Sequence, residues 1–151
     1  MSNRAVYDGA SVQVTITSGT LSGNSAIFGG GVANVFHYGA NAALTIINST
    51  VSDNKGGGVS TVASYSGAST VTITNSTFSR NSADSGGGVS NLAVFGESTA
   101  ILTLTNSTLS GNSAIFAGGI YNWTGPGKSS AVLTLAHSLV SGNTATWATA
   151  A

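Results

Sequence analysis

The chain has 151 residues, 41% of them apolar, with four basic and four acidic side chains that cancel and no cysteine. That length fits one domain; the missing basic surface argues against nucleic acid as a partner; and the lack of cysteine excludes a disulfide framework or a thiolate metal site. Regularly spaced aliphatics argue against disorder, and no apolar run approaches the roughly 20 residues of a membrane-spanning helix.

In chain order, residues 1–13 come first. Their opening, from Met1 to Asp8, has no apolar signal core. The segment is read as an N-terminal cap, with Val6, Tyr7 and Val12 laid over the first coil. A unit of the type Leu-Thr-Ile-Thr-Asn-Ser-Thr-Leu-Ser-Gly-Asn then recurs five times across residues 14–143, starting at Val14, Leu44, Val71, Leu102 and Leu133. The spacings are 30, 27, 31 and 31 residues. The first four units run on into glycines and an aliphatic, Val32, Val59, Val89 or Ile120. Residues 144–151 read as an incomplete last coil, with no linker or second domain along the way.

Inside each unit an aliphatic alternates with threonine, as in Val14/Ile16 and Leu102/Leu104. This is strand periodicity. A repeat of about 30 residues with glycine-rich corners predicts an all-β right-handed parallel β-helix, a solenoid of about five coils of 27–31 residues. The fully repeated Asn24, Asn54, Asn81, Asn112 and Asn143 are expected to stack as an amide ladder and to take the left-handed corner conformation. Asn48, Asn75 and Asn106, with Ser18 and His137 at the ends, mark a second corner.

The phrase Asn-Ser-Thr-x-Ser-x-Asn followed by Gly-Gly-Gly-Val resembles the repeats of right-handed β-helix proteins of the pectin-lyase-like superfamily. It is also similar to polymorphic outer-membrane and autotransporter-passenger repeats. Phe78-Ser79-Arg80-Asn81 matches their Phe-x-x-Asn, while the other units carry Leu or Val in place of the aromatic. The resemblance covers residues 11–145. It implies a β-helix whose relatives include lyases, hydrolases, adhesins and inert spacers.

The sequence offers three candidate sites. Asp53, Lys55, Arg80 and Asp84 are half of the charged residues and fall on neighbouring coils. The resemblance implies that such a set would handle an acidic sugar in a lyase or supply carboxylates in a hydrolase; otherwise it is a solvated cross-coil ion pair. Only Lys55 separates Asn54 from the glycines, so coil 2 is three residues short and a notch is expected there. Phe36, Tyr38, Tyr65, Phe95, Tyr121 and Trp123 gather in the third segment of the coils and would stack on sugar rings if exposed. Thr15, Thr45, Thr72, Thr103 and Thr134 form one outward column, with Thr17, Thr74 and Thr105 beside it, resembling the flat faces of β-solenoid ice-binding proteins. His37 and His137 lie far apart along the axis, so no metal, cofactor or Ser-His-Asp site is expected.

The leading expectation is a secreted or cell-surface structural or adhesive module, with a polysaccharide or cell-surface glycan as partner. In that reading the chain is a fragment or trimmed form of an exported protein. The alternatives are a carbohydrate-active enzyme (polysaccharide lyase, hydrolase or ester hydrolase) and an ice-binding protein. The last coil is expected to leave an open end through which copies associate.

Overall fold

A computed structural model describes residues 1–147. Coil 1 holds β1 (Ser2–Ala5), β2 (Ser11–Thr17) and β3 (Thr20–Ser22), and coil 2 holds β4 (Val32–His37), β5 (Asn41–Ile47) and β6 (Thr50–Ser52). Coil 3 adds a fourth strand: β7 (Val59–Ser64), β8 (Ala68–Thr74), β9 (Thr77–Ser79) and β10 (Ser82–Ser85). Coil 4 repeats it as β11 (Val89–Val94), β12 (Thr99–Thr105), β13 (Thr108–Ser110) and β14 (Ser113–Phe116). Coil 5 closes the series with β15 (Ile120–Thr124), β16 (Ser130–Ala136), β17 (Leu139–Ser141) and β18 (Thr144–Ala145).

Equivalent strands pair in parallel from coil to coil. They build a first sheet β1-β4-β7-β11-β15, a second β2-β5-β8-β12-β16, a third β3-β6-β9-β13-β17 and a short fourth β10-β14-β18. The chain is therefore a parallel β-solenoid of about five turns. The register is the one the repeat dictates, with Ile16, Ile46, Ile73 and Leu104 in one column and Leu21, Val51, Phe78 and Leu109 in another. These side chains, with the Val32–Val59–Val89 column, form the core. Each central aliphatic removed from water stabilises the fold by about 1.5–3 kcal/mol. In coil 5 the corresponding Leu135 and Val140 are exposed.

Glycine is required where the third sheet turns back into the first. A Cβ on Gly31, Gly58 or Gly88 would lie 2.4–2.6 Å from the carbonyl oxygen of the glycine one coil on. The coils could not close to strand spacing around a side chain at that position.

Two details differ from the sequence expectation. Residues 2–5 do not lie across the end of the solenoid as a cap; they form β1, and Asn3 pairs in register with Asn34. Val12 sits in β2 against the small cluster of Ala5, Phe36, Ala40 and Ala42, while Tyr7 is exposed. Of the last segment, β18 and Trp147 belong to the solenoid, and residues 148–151 lie outside the described ones. The second difference concerns the corners. Asn54, Asn81 and Asn112 are fully buried and have ordinary φ; the left-handed residues are those just before the column, Gly23, Asp53, Arg80, Gly111 and Gly142. The column itself is an inward amide ladder, each Nδ2 donating to the next Oδ1 at 2.9–3.0 Å. The left-handed role belongs to Ser18, Asn48, Asn75, Asn106 and His137 at the other corner, as expected there. Beside them Ser49, Ser76, Ser107 and Ser138 form a hydroxyl ladder, each accepting from a backbone amide of the preceding coil at 3.1 Å.

A further ladder runs through the inner face of the first sheet: Asn3, Asn34, Thr61, Asn91, Asn122. Asn3 Nδ2 donates to Asn34 Oδ1, and Asn91 Nδ2 to Asn122 Oδ1, both at 2.8 Å. Thr61 interrupts it, leaving its own Oγ1 and Asn91 Oδ1 buried without a partner. Thr61→Asn supplies both a donor to Asn91 and an acceptor for Asn34. We expect it to add about 1–2 kcal/mol, seen as a melting temperature higher by about 3–6 °C; an unchanged or lower value would mean that the site cannot seat the amide.

Candidate functional site

Every other coil whose arc is described spends eight residues from the ladder asparagine to the following aliphatic, as from Asn81 to Val89; coil 2 spends five, from Asn54 to Val59. Its arc carries a single bridging residue, Lys55, paired with Ser25 above and Ser82 below. The next residue, Gly56 at φ 92°, turns the chain directly inward; a Cβ there would lie 2.0 Å from the Ala26 carbonyl oxygen. The wall of the solenoid therefore has a gap one strand high. Ala26 and Ile27 bound it on one side, Ser82, Ala83 and Asp84 on the other, with Lys55 and Gly56 at its base, enclosing about 380 Å³. A narrower cleft of about 80 Å³ continues beneath Phe28 toward Ser60, Ser90 and Leu92.

The effect on the neighbouring chain is visible in a duplicated peptide. Residues 20–28 and 108–116 share the sequence Thr-Leu-Ser-Gly-Asn-Ser-Ala-Ile-Phe. In coil 4 its last four residues form β14, paired on both sides. In coil 1, Ile27 and Phe28 form a bend instead of a strand. Their exposures are 85% and 65%, against 40% for Ile115 and 43% for Phe116.

Of the four charged candidates, Lys55 and Asp84 line this gap. Asp53 and Arg80 sit at the preceding corner and engage each other: Arg80 Nε and Nη2 donate to the two Asp53 carboxylate oxygens at 2.7 and 2.8 Å. The Arg80 hydrogen bonds, then that from Ser52, hold the Asp53 carboxyl below its ordinary range. Asp53 thus stays ionised at neutral pH and is a poor proton donor. Both residues have left-handed φ at a corner where coils 1, 4 and 5 carry glycine, so the exposed ion pair accompanies a conformation these side chains disfavour.

The aromatic set divides. Phe36 is fully buried and cannot serve as a surface contact, contrary to the expectation for it. Tyr38, Tyr65 and Phe95 form a column with centroids 5.1 and 5.3 Å apart and planes 17–21° from parallel. All three have left-handed φ, of 52–60°. Stacked this way, neighbouring rings cover each other's faces and turn their edges to solvent, which suits stacking on a sugar poorly. Tyr121 and Trp123 lie in β15, apart from that column; Phe116 stacks on Trp147 at 5.7 Å, a pairing that the repeat pattern does not announce.

On the second sheet Thr15, Thr45, Thr72, Thr103 and Thr134 are in register across all five strands. Thr17, Thr74 and Thr105 share the adjacent column with Ile47 and Ala136. His37 Nδ1 contacts Ser64 Oγ, whose hydroxyl donates to the Phe36 carbonyl oxygen at 3.2 Å. Burial, and then the charge of Arg4, hold the His37 imidazole below its ordinary pKa. Ser64 is itself buried and committed to a carbonyl, so the pair lacks an accessible nucleophile. Among the described residues no helix is long and apolar enough to cross a membrane. Comparison with protein-family models, with curated proteins and with solved structures found no match to this chain.

Proposed function

We propose that the chain is a non-catalytic structural or adhesive module of a secreted or cell-surface protein, a stiff β-helical rod of the kind that the pectin-lyase-like and passenger repeats resemble. The observation that supports this reading most directly is the pairing of Asp53 with Arg80. The densest cluster of catalytic residue types spends two of its members on each other and leaves only Lys55 and Asp84 at the gap. What remains outside is a surface of hydroxyls and amides held at fixed spacing by ladders along the axis, suited to repetitive hydrogen bonding with a glycan. The test is a panel of acidic and neutral polysaccharides and acyl esters presented to the full chain. Retention on at least one glycan without cleavage or deacylation is the expected result. Turnover that disappears in Asp84→Asn would replace this reading with a carbohydrate-active enzyme, whether lyase, hydrolase or ester hydrolase.

The threonine columns favour a second reading. Thr15 to Thr134 repeat at strand spacing, about 4.8 Å, over a sheet whose backbone hydrogen bonds are already made, so their hydroxyls and methyls are presented at fixed intervals. If that face binds ice, Thr103→Tyr at its centre abolishes thermal hysteresis while the circular dichroism spectrum is unchanged. Absence of hysteresis in the unaltered chain at high concentration ends the ice reading.

A further inference from the structure

We propose that the two end faces of the solenoid are a matched pair of binding surfaces for a second copy of this chain, coil 5 of one copy stacking in register on coil 1 of the next. The inference does not depend on the adhesive reading; it rests on what each face leaves unpaired. The polarity of the asparagine ladder carries it. At every step inside the chain, the backbone amide and Nδ2 of one asparagine donate to Oδ1 of the asparagine one coil on, at 2.9–3.1 Å. The second asparagine then donates its own Nδ2 back to a carbonyl of the previous coil, as Asn143 does to Leu109 at 2.9 Å. Among the described residues the run ends in donors on one face and an acceptor on the other. The Asn143 amide and one Nδ2 hydrogen have no acceptor, and Asn24 Oδ1 has no donor. One more step, from Asn143 of one copy to Asn24 of the next, satisfies both. Two coil 5 faces would set donor against donor, and two coil 1 faces acceptor against acceptor, so the ladder selects head-to-tail contact over a twofold dimer.

The side chains of the two faces match in the same register. Leu135 and Val140 stand in core columns yet are exposed on coil 5, and Ile16 and Leu21, which begin those columns on coil 1, are only partly buried. Stacking removes both pairs from water. In the first sheet, Trp123 ends the column that starts at Arg4. Both are exposed, so the next copy brings a guanidinium onto the indole. On the fourth side a projecting ring faces a hollow. Counted from the column of Ser25, Lys55, Ser82, Ser113 and Thr144, Phe28 and Trp147 hold equivalent positions. Trp147 is exposed and stacks on Phe116. The coil 1 end bears a hollow of about 450 Å³, lined by Met1 and Ser2 and by residues 24–26 and 28–30. The arc of a preceding coil would lie there, and Trp147 of the neighbouring copy enters it to stack on Phe28. The operation that places the next copy is a shift along the solenoid axis, which does not close, so association gives linear rows of copies and not a ring.

The experiment is sedimentation velocity on the full chain across a wide concentration range. We expect the average sedimentation coefficient to rise continuously with concentration, without a plateau at the dimer. Phe28→Asp and Trp147→Asp each place a carboxylate at an exposed site on one face only. Each should weaken self-association about tenfold or more, with the circular dichroism spectrum unchanged. Mixing the two variants supplies the discriminating result. The coil 5 face of the Phe28 variant still fits the coil 1 face of the Trp147 variant, so the mixture forms a one-to-one dimer at the affinity of the unaltered chain and grows no further. A chain that stays monomeric at every concentration would assign both faces to other occupants and overturn the proposal. So would growth that stops at a dimer of the unaltered chain, full self-association by either variant, or a mixture that gains nothing over its components.

Discussion

Ile73→Asp is expected to unfold the chain, or at least to separate its halves, while Thr72→Asp one residue away lowers the melting temperature by only a few degrees. Ile73 is fully buried in β8, at the centre of the column that joins Ile46 to Leu104. Removing its side chain from that site costs about 2–5 kcal/mol in lost burial and cavity. The carboxylate that replaces it has only aliphatic neighbours in its column, and an unpaired buried charge adds several kcal/mol more, about what remains after the group protonates to escape it. Together these approach the 5–15 kcal/mol (roughly) that a domain of this kind has to spare.

The solenoid's connectivity makes the centre the worst place for such damage. Each coil rests only on its neighbours, so a broken coil 3 leaves coils 1–2 and coils 4–5 as short stacks with two more open ends. Thr72 points outward between Thr45 and Thr103, where a carboxylate keeps its water, and its replacement should cost about 1 kcal/mol, or 2–4 °C. Thermal unfolding followed by circular dichroism separates the two outcomes. Equal losses in both variants would mean that the inward and outward faces of the second sheet have been exchanged.

Alternation within each unit and the 27–31-residue repeat made the inward and outward residues and their columns legible in the sequence. Parallel stacking then fixed which residue sits on which. Features carried by one coil alone were much less legible. β1 has four residues, and only Asn3 marks its register, so it reads as a cap until Asn34 is seen opposite. The inner ladder of Asn3, Asn34, Asn91 and Asn122 is hidden by Thr61 and by the uneven coil lengths. Asn54 and Asn81 were readable as a column, but residue type alone assigns them the left-handed corner. The structure gives that conformation to Asp53 and Arg80, because the buried amides are needed for hydrogen bonds. The left-handed Tyr38, Tyr65 and Phe95 run against every local preference, and only their stack from coil to coil accounts for them. The gap was visible as three missing residues. Its consequence for residues 25–28 was not, since the same nine residues form a strand in coil 4; the difference comes from neighbours that are distant in the chain.

Asn81→Leu should destabilise the chain nearly as much as a core charge, although it exchanges one buried side chain for another of greater hydrophobicity. Asn81 Nδ2 donates to the Val51 carbonyl oxygen at 2.9 Å and to Asn112 Oδ1 at 3.0 Å, while its Oδ1 accepts from the Asn54 amide at 3.1 Å and from Asn54 Nδ2 at 2.9 Å. Leucine removes all four bonds and leaves the Asn54 amide buried without a partner, while the Val51 carbonyl keeps only the Ser79 amide of the strand ladder. At about 1–3 kcal/mol for the orphaned amide and about 0.5–1 kcal/mol for each of the other three bonds, the loss is about 3–6 kcal/mol. Repacking cannot relieve it, because Gly58 has no Cβ and the space above it is set by Asn81 Nδ2, 3.2 Å from where a Cβ would stand. Asn24→Leu at the exposed end of the same ladder gives up a single side-chain bond, to Asn54 Oδ1, and should cost less than about 1 kcal/mol. Asn81→Asp supplies a pH signature that leucine cannot. Its carboxylate keeps the bonds from Asn54 but faces Asn112 Oδ1 and the Val51 oxygen, two acceptors, so the folded state favours the protonated acid and raises its pKa above the unfolded value of about 3.9. A raised carboxyl pKa means that the penalty is absent below the unfolded pKa and grows as pH rises toward the folded one. The aspartate variant should therefore approach the stability of the unaltered chain near pH 4 and fall well below it at pH 7. A constant difference between those two values, measured by urea denaturation, would show that the side chain at position 81 has left the ladder for solvent.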